Sequence, residues 1–169
     1  MLGTSHRWEH PDEPDEKGTQ LAALKRYLDD HPEIEYVWFD FPCMPQTPRS
    51  LEDEDEFAEM LSNVNVIFIG MQTLILLDMS YMSRFWTQTE AWMSMQDAST
   101  SGLATASEEK RRYTIVPLHN ANAKVSEVLV DMWAGKSAQE AHDILAHPDV
   151  VVTHQSDKER QLPKILKLN

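Results

Sequence analysis

The sequence predicts an α/β fold: a five-stranded, mostly parallel sheet with helices on both faces. Two observations lead there. Short apolar runs alternate with stretches whose apolar residues recur at spacings of three and four, strand then helix, five times over. That alternation implies a parallel sheet covered on both sides. The chain length of 169 residues, with 41% hydrophobic and 25% charged residues, suits one domain, 1–169, with its own core. Right-handed crossovers restrict the topology to a few doubly wound forms, with the carboxyl ends of the strands along one edge.

Each element has its own signal. Met1 to Thr4 is short for a strand, yet Ser5-His6-Arg7-Trp8 reads as the end of one, so the first strand is a stub or a truncated strand. Residues 9–18, EHPDEPDEKG, read as a mobile loop. Thr19 is a candidate cap for a helix with Leu21, Leu24 and Leu28 inward, Tyr27 beside them and His31-Pro32 at its end. Glu35 to Phe41 is aromatic and β-branched, hence a strand, and three prolines between Pro42 and Pro48 make a stiff loop.

Ser50 and Asp53 fit a capping box for a helix whose apolar face is Phe57, Met60, Leu61, Val64, Ile67 and Phe68, with Gly70 as its stop. Leu74 to Leu77, ending in Asp78, is a buried strand, followed by a polar elbow, Ser80 to Ser83. A helix then carries Arg84, Trp86 and Glu90 and runs to about Gln96. Residues 97–112 read as an exposed loop without core contacts. Tyr113 to Leu118 is a strand that Pro117 places at an edge or an end. Ala123 to Trp133 is a helix, and Ser137 with Glu140 boxes another to about Ala146. Val150 to Thr153 is the fifth strand, and Ser156 with Glu159 caps a last helix that Pro163 kinks or shortens. No repeat of 20–50 residues is present.

Composition narrows function. A net charge of −13 argues against nucleic acid or an anionic membrane as partner. The single cysteine, Cys43, rules out an internal disulfide and points to a reducing, cytoplasmic compartment. No histidine stands at metal spacing from it, so no metal is expected. No apolar run approaches the roughly 18 residues of a membrane span, and Met1 to Trp8 lacks a signal peptide's apolar region.

The predicted strand-end edge gathers Ser5, His6, Arg7 and Trp8, then Asp40 to Gln46, Asp78 to Tyr81, His119 and Asn120, and His154 to Ser156. In open α/β sheets ligands bind at such an edge. Glu90 follows Trp86 by four, so the two share a helix face about a turn from that edge. The bland alternative is an exposed helical acid beside a packed indole. Trp38 fits the core, Asp40 either a ligand contact or a loop cap, and Cys43 a small packed residue.

Three segments, SHRW from Ser5, YVWFDFPCMPQ from Tyr36 and SYMSRFWTQTEAW from Ser80, resemble the heterokaryon-incompatibility branch of the TIR superfamily. Trp38, Asp40, Cys43 and Gln46 match its second-strand motif, and Tyr81, Ser83, Arg84, Trp86 and Glu90 its third. The resemblance spans most of residues 4–120. It implies a flavodoxin-like three-layer sandwich, self-association, and a place in immune or cell-death signalling. It further implies NAD cleavage with Glu90 as the catalytic acid. NAD would be a substrate, with no cofactor. Ser5, Arg7, Trp8, Asp40, Tyr81, Arg84 and Trp86 are then the candidate substrate contacts. The nearly missing first strand, the proline-rich loop and Phe85 directly before Trp86 depart from the family pattern and bear on substrate loading. Two other functions stay open: a non-enzymatic self-assembly domain on the same fold, and an enzyme of the nucleoside deoxyribosyltransferase class.

The chemistry also stands on elementary grounds. Nicotinamide on ribose is a cationic leaving group that departs neutral, so no general acid is required. One carboxylate can stabilise the oxocarbenium-like transition state by its charge. Trp8 or Trp38 could stack on a flat base, and Arg7 could meet a diphosphate.

Overall fold

The computed structural model describes residues 1–168. Strand β1 (Leu2–His6) leads to helix α1 (Thr19–Asp30), strand β2 (Val37–Trp38) and a single helical turn, α2 (Asp40–Cys43). Helices α3 (Leu51–Asn63) and α4 (Asn65–Gly70) precede strand β3 (Gln72–Leu77) and a 3₁₀ turn at Tyr81–Ser83. Helix α5 (Phe85–Ser94) is followed by β4 (Gln96–Ser99), β5 (Gly102–Thr105) and β6 (Tyr113–Pro117). Helices α6 (Ala123–Trp133), α7 (Ala138–Ala146) and α8 (Gln155–Leu166) complete the chain.

The main sheet is parallel, in the order β2-β1-β3-β6. Alternate residues of β3 divide between two cores, as strand pleating requires. Leu74 and Leu76 join Leu2, Ala23 and Leu24 beneath α1. Ile75 and Leu77 join Phe68, Phe85, Trp92, Leu129, Trp133, Leu145 and Ile165 beneath the later helices. Helix α1 covers one face alone, while α4 to α8 crowd the other.

The sheet has four strands where five were expected. Val150 to Thr153 does not reach it: Phe85 N donates to Val151 O at 2.9 Å and Val151 N to Ser83 O at 2.8 Å. The segment thereby satisfies an amide in the first turn of α5, which no intrahelical carbonyl can reach. The first strand is no stub either. It occupies the sheet's centre, all five residues buried. Its small residues give the clearance this place requires: a Cβ on Gly3 would lie 2.8 Å from Ile67 Cγ2.

Other expectations are corrected in detail. Strand β2 is two residues long, being an edge with one partner, and the proline-rich loop opens with the helical turn α2. Asp15, not Thr19, caps α1: its carboxylate accepts from Gln20 N at 3.0 Å and Leu21 N at 2.7 Å. Leu21 is exposed, so α1 buries Gln20, Ala23 and Leu24 instead. The stretch read as an open loop at 97–112 contains the antiparallel hairpin of β4 and β5, and Leu103 packs on the larger core. Helix α8 starts after His154 without a side-chain cap and continues through Pro163 to Leu166. The capping boxes at Ser50–Asp53 and Ser137–Glu140 form as expected. No helix among the described residues is long and apolar enough to cross a membrane.

Candidate active site at the sheet switch point

The chain runs from β1 outward to β2, then returns across β1 to lay β3 on its other side. The strand order therefore reverses between β1 and β3, where an open α/β sheet leaves a crevice at its carboxyl edge. Ser5 and His6 end β1 there with Arg7 next in the chain, and Asp78 directly follows β3.

Successive residues of β1 reach opposite faces. Ser5 turns toward α5. Its hydroxyl donates to Glu90 Oε2 at 2.6 Å and lies 2.6 Å from the Tyr81 hydroxyl. Ser5 and Tyr81 are completely buried. Glu90 is half-buried, so it is not the solvated acid of the bland alternative. Its second oxygen, Oε1, has no hydrogen-bond partner among the described residues, nor is it sealed from solvent. Burial raises the Glu90 carboxyl well above the ordinary glutamate range, the Ser5 bond opposes that rise, and the negative charge of Asp40 adds to it. The Tyr81 phenol is raised by burial first and by the Glu90 charge second, with the Ser5 bond opposing.

His6 turns to the other side and holds Asp40, Nε2 to Oδ1 at 2.7 Å. An ionised carboxylate only accepts, so Nε2 carries the proton. Nδ1 is left buried without a partner among the described residues. Trp8 Nε1 donates to Asp40 Oδ2 at 2.6 Å and the Phe41 amide to Oδ1 at 2.7 Å. Both oxygens of Asp40 are thus occupied, and the Trp8 ring meets Phe41 edge-on.

Arg7 is fixed in turn. Its Nε and Nη2 both contact Asp78 Oδ2, at 2.8 and 2.7 Å, while Tyr81 N donates to Asp78 Oδ1 at 2.7 Å. Asp78 thereby joins the end of β3 to both β1 and the elbow. An open cleft of about 500 Å³ lies alongside, lined by Arg7, Glu9, Lys17, Asp78, Ser80, His119 and Asn120. His119 Nε2 pairs with Glu9 at 2.7 Å, on a backbone held at φ 53°, a left-handed conformation uncommon outside glycine. A second cleft, about 680 Å³ and mostly apolar, runs between Met82, Gln88, Met132, Ile144 and Val150. Glu90 lines neither cleft.

Of the sequence-derived candidates, Ser5, Tyr81 and Glu90 meet in one hydrogen-bonded chain, Trp8 meets Asp40, and Arg7 meets Asp78. Arg84 supplies backbone at the start of α5, and its guanidinium forms no ion pair or hydrogen bond among the described residues. Trp86 is half-buried, packed on the larger core and edge-on to Phe85. Trp38 is a core residue, T-shaped against Phe68. Cys43 is exposed, not packed, and His154 is an exposed residue at the start of α8. Glu9 and Lys17 are cleft residues that the acidic, proline-bearing stretch gave no sign of. Among the described residues no group of three His, Cys, Asp or Glu is placed to hold a metal ion. The chain matches no family model, no curated protein and no solved structure.

Proposed function

We propose that the protein is a TIR-like, flavodoxin-like domain that cleaves NAD at the bond between nicotinamide and ribose, with Glu90 as its catalytic residue. One observation carries this: at the sheet's switch point a single carboxyl is gripped through Oε2 by Ser5 while Oε1 stays open. Such a carboxyl suits the reaction. A cationic pyridinium-ribose entering a dehydrated site favours the ionised acid, which then opposes the positive charge that builds on the ribose. Nicotinamide leaves neutral with the bonding electrons. Water attacking the anomeric carbon, with loss of its proton, gives ADP-ribose; attack from within the nucleotide gives a cyclic product. The polar cleft beside Arg7, with Lys17 at its rim and without a salt-bridge partner among the described residues, offers donors to the remainder of a dinucleotide.

Purified protein incubated with NAD should release nicotinamide, and Glu90→Gln should lower the rate at least about 100-fold, a loss of roughly 2.7 kcal/mol of transition-state stabilisation. Equal rates in the two proteins would end this assignment. A second function, a non-enzymatic self-assembling module, is favoured by the fact that Glu90 lines neither cleft. It calls for no turnover at any protein concentration, together with self-association in light scattering.

A further inference from the structure

We infer that Tyr81 and Ser5 are positioning residues that decide which oxygen of Glu90 exchanges a proton: Oε2 only accepts, and Oε1 is the atom offered outward. The inference deepens the proposed function and rests on Glu90 being the acid of the site.

Counting protons fixes the direction of the chain. The Tyr81 hydroxyl is completely buried, and Ser5 Oγ is its one hydrogen-bond partner among the described residues. If Ser5 donated to Tyr81, the phenolic proton would be left buried and unmatched, which is costly. Tyr81 therefore donates to Ser5. A serine hydroxyl has one proton, and here the remaining acceptor is Glu90 Oε2. The order Tyr81 to Ser5 to Glu90 then holds whether the carboxyl is charged or neutral. A proton on Oε2 would point at the proton of Ser5, so neutral Glu90 carries its proton on Oε1.

Two consequences follow. The chain ends at a phenol without exposure or a second partner, so it orients the carboxyl and does not conduct protons to solvent. Each donor in it also polarises the next, which favours the carboxylate over the acid. The groups bearing on the carboxyl are Ser5 from β1, Tyr81 from the elbow and Asp40 from α2. Of these, Ser5 stabilises the charge and Asp40 opposes it.

The test uses the full chain and two readouts. Isotope-edited infrared spectroscopy reads the C=O stretch of protonated Glu90, identified by its loss in Glu90→Gln. With Oε2 as the carbonyl oxygen accepting from Ser5, Ser5→Ala should raise that frequency, and Tyr81→Phe should raise it less. Urea stability against pH reads the Glu90 titration as the difference between each protein and its Glu90→Gln counterpart. Ser5→Ala should move the titration to higher pH, Tyr81→Phe should do so by less, and the double variant should match Ser5→Ala. If nicotinamide is released, the acidic limb of the kcat profile should move in step, with kcat at pH 6 about tenfold lower and KM little changed. Should Ser5→Ala prove too unstable, the double variant removes the stranded phenolic proton and keeps the measurement possible. An unmoved frequency and titration in both single variants would overturn the inference even if NAD is cleaved. Moved spectra without any turnover would leave it standing and remove the proposed function instead.

Discussion

Glu90 occupies a place where ionising is costly, and stability measurements can read that cost directly. Its folded form holds a proton at pH values where the unfolded chain has already released one, since burial raises the carboxyl. Between the ordinary glutamate range and the raised value, the folded state binds more protons, so stability falls as pH increases through that window. Glu90→Gln escapes the penalty and can still accept from Ser5. It should be more stable than the parent above the raised value, where the parent must hold its carboxylate charged. The gap should close below about pH 4, where both chains are neutral in this position. Urea denaturation at pH 4 and pH 8 checks this, and an equal gap at the two pH values would contradict it. Stability gained in Glu90→Gln together with a loss of activity would mark a residue kept for function.

At this scale the sequence was informative about which residues gather at the strand-end edge, because strand direction alone sets that edge. It was silent about who holds whom. That Ser5 faces Glu90 while His6 faces Asp40 depends on the register of β1, which small residues do not announce. Ser5 and Tyr81 were expected to touch substrate, and they are found behind the acid, fully buried.

Among the elements, β1 was hardest to foresee and α7 easiest. A Ser-x-x-Glu box with an apolar stripe names a helix from local chemistry alone, as Ser137 and Glu140 do. The sequence Leu-Gly-Thr-Ser-His has little β propensity, and only its tight contact with α4 explains it. Gly3→Ala should therefore destabilise the fold by about 1–3 kcal/mol through overpacking, and Ile67→Ala should recover part of the loss by removing the clashing methyl. Thermal melts of the two single variants and the double variant measure that coupling; strictly additive losses would show that the contact is not the cause. The misplaced fifth strand has a comparable origin. Three β-branched residues, Val151 to Thr153, satisfy strand propensity, but backbone pairing at the start of α5 competes for the same amides.

For the molecule as a whole, the charge of −13 is spread over a small domain and opposes compaction. Nine of the 28 acids have a cationic or histidine partner within 4 Å among the described residues, Asp78, Asp40, Glu9, Asp97, Glu108 and Asp143 at 3.0 Å or less, while the run Glu52 to Glu56 lies mostly in solvent. Raising sodium chloride from 20 to 300 mM shortens the screening length to several ångströms and should raise the melting temperature at neutral pH. A fall would mean that the attractive pairs outweigh the general repulsion. The alternation of strand and helix was legible through β3 and α5 and again at β6 and α6, while the β4–β5 hairpin and the count of strands were not. Counting needs to know which β-like segment has an open ladder to join.

One consequence concerns the order of assembly. The central strand of the sheet, residues 2–6, has as its neighbours a two-residue edge and a strand that begins only at Gln72. Little of its ladder can form locally, so a fragment stopping at residue 70 would hold a middle with only a two-residue edge beside it. Ser5 and Glu90, 85 positions apart, come together only after that long closure, which makes the acid's grip a late reporter of completed folding.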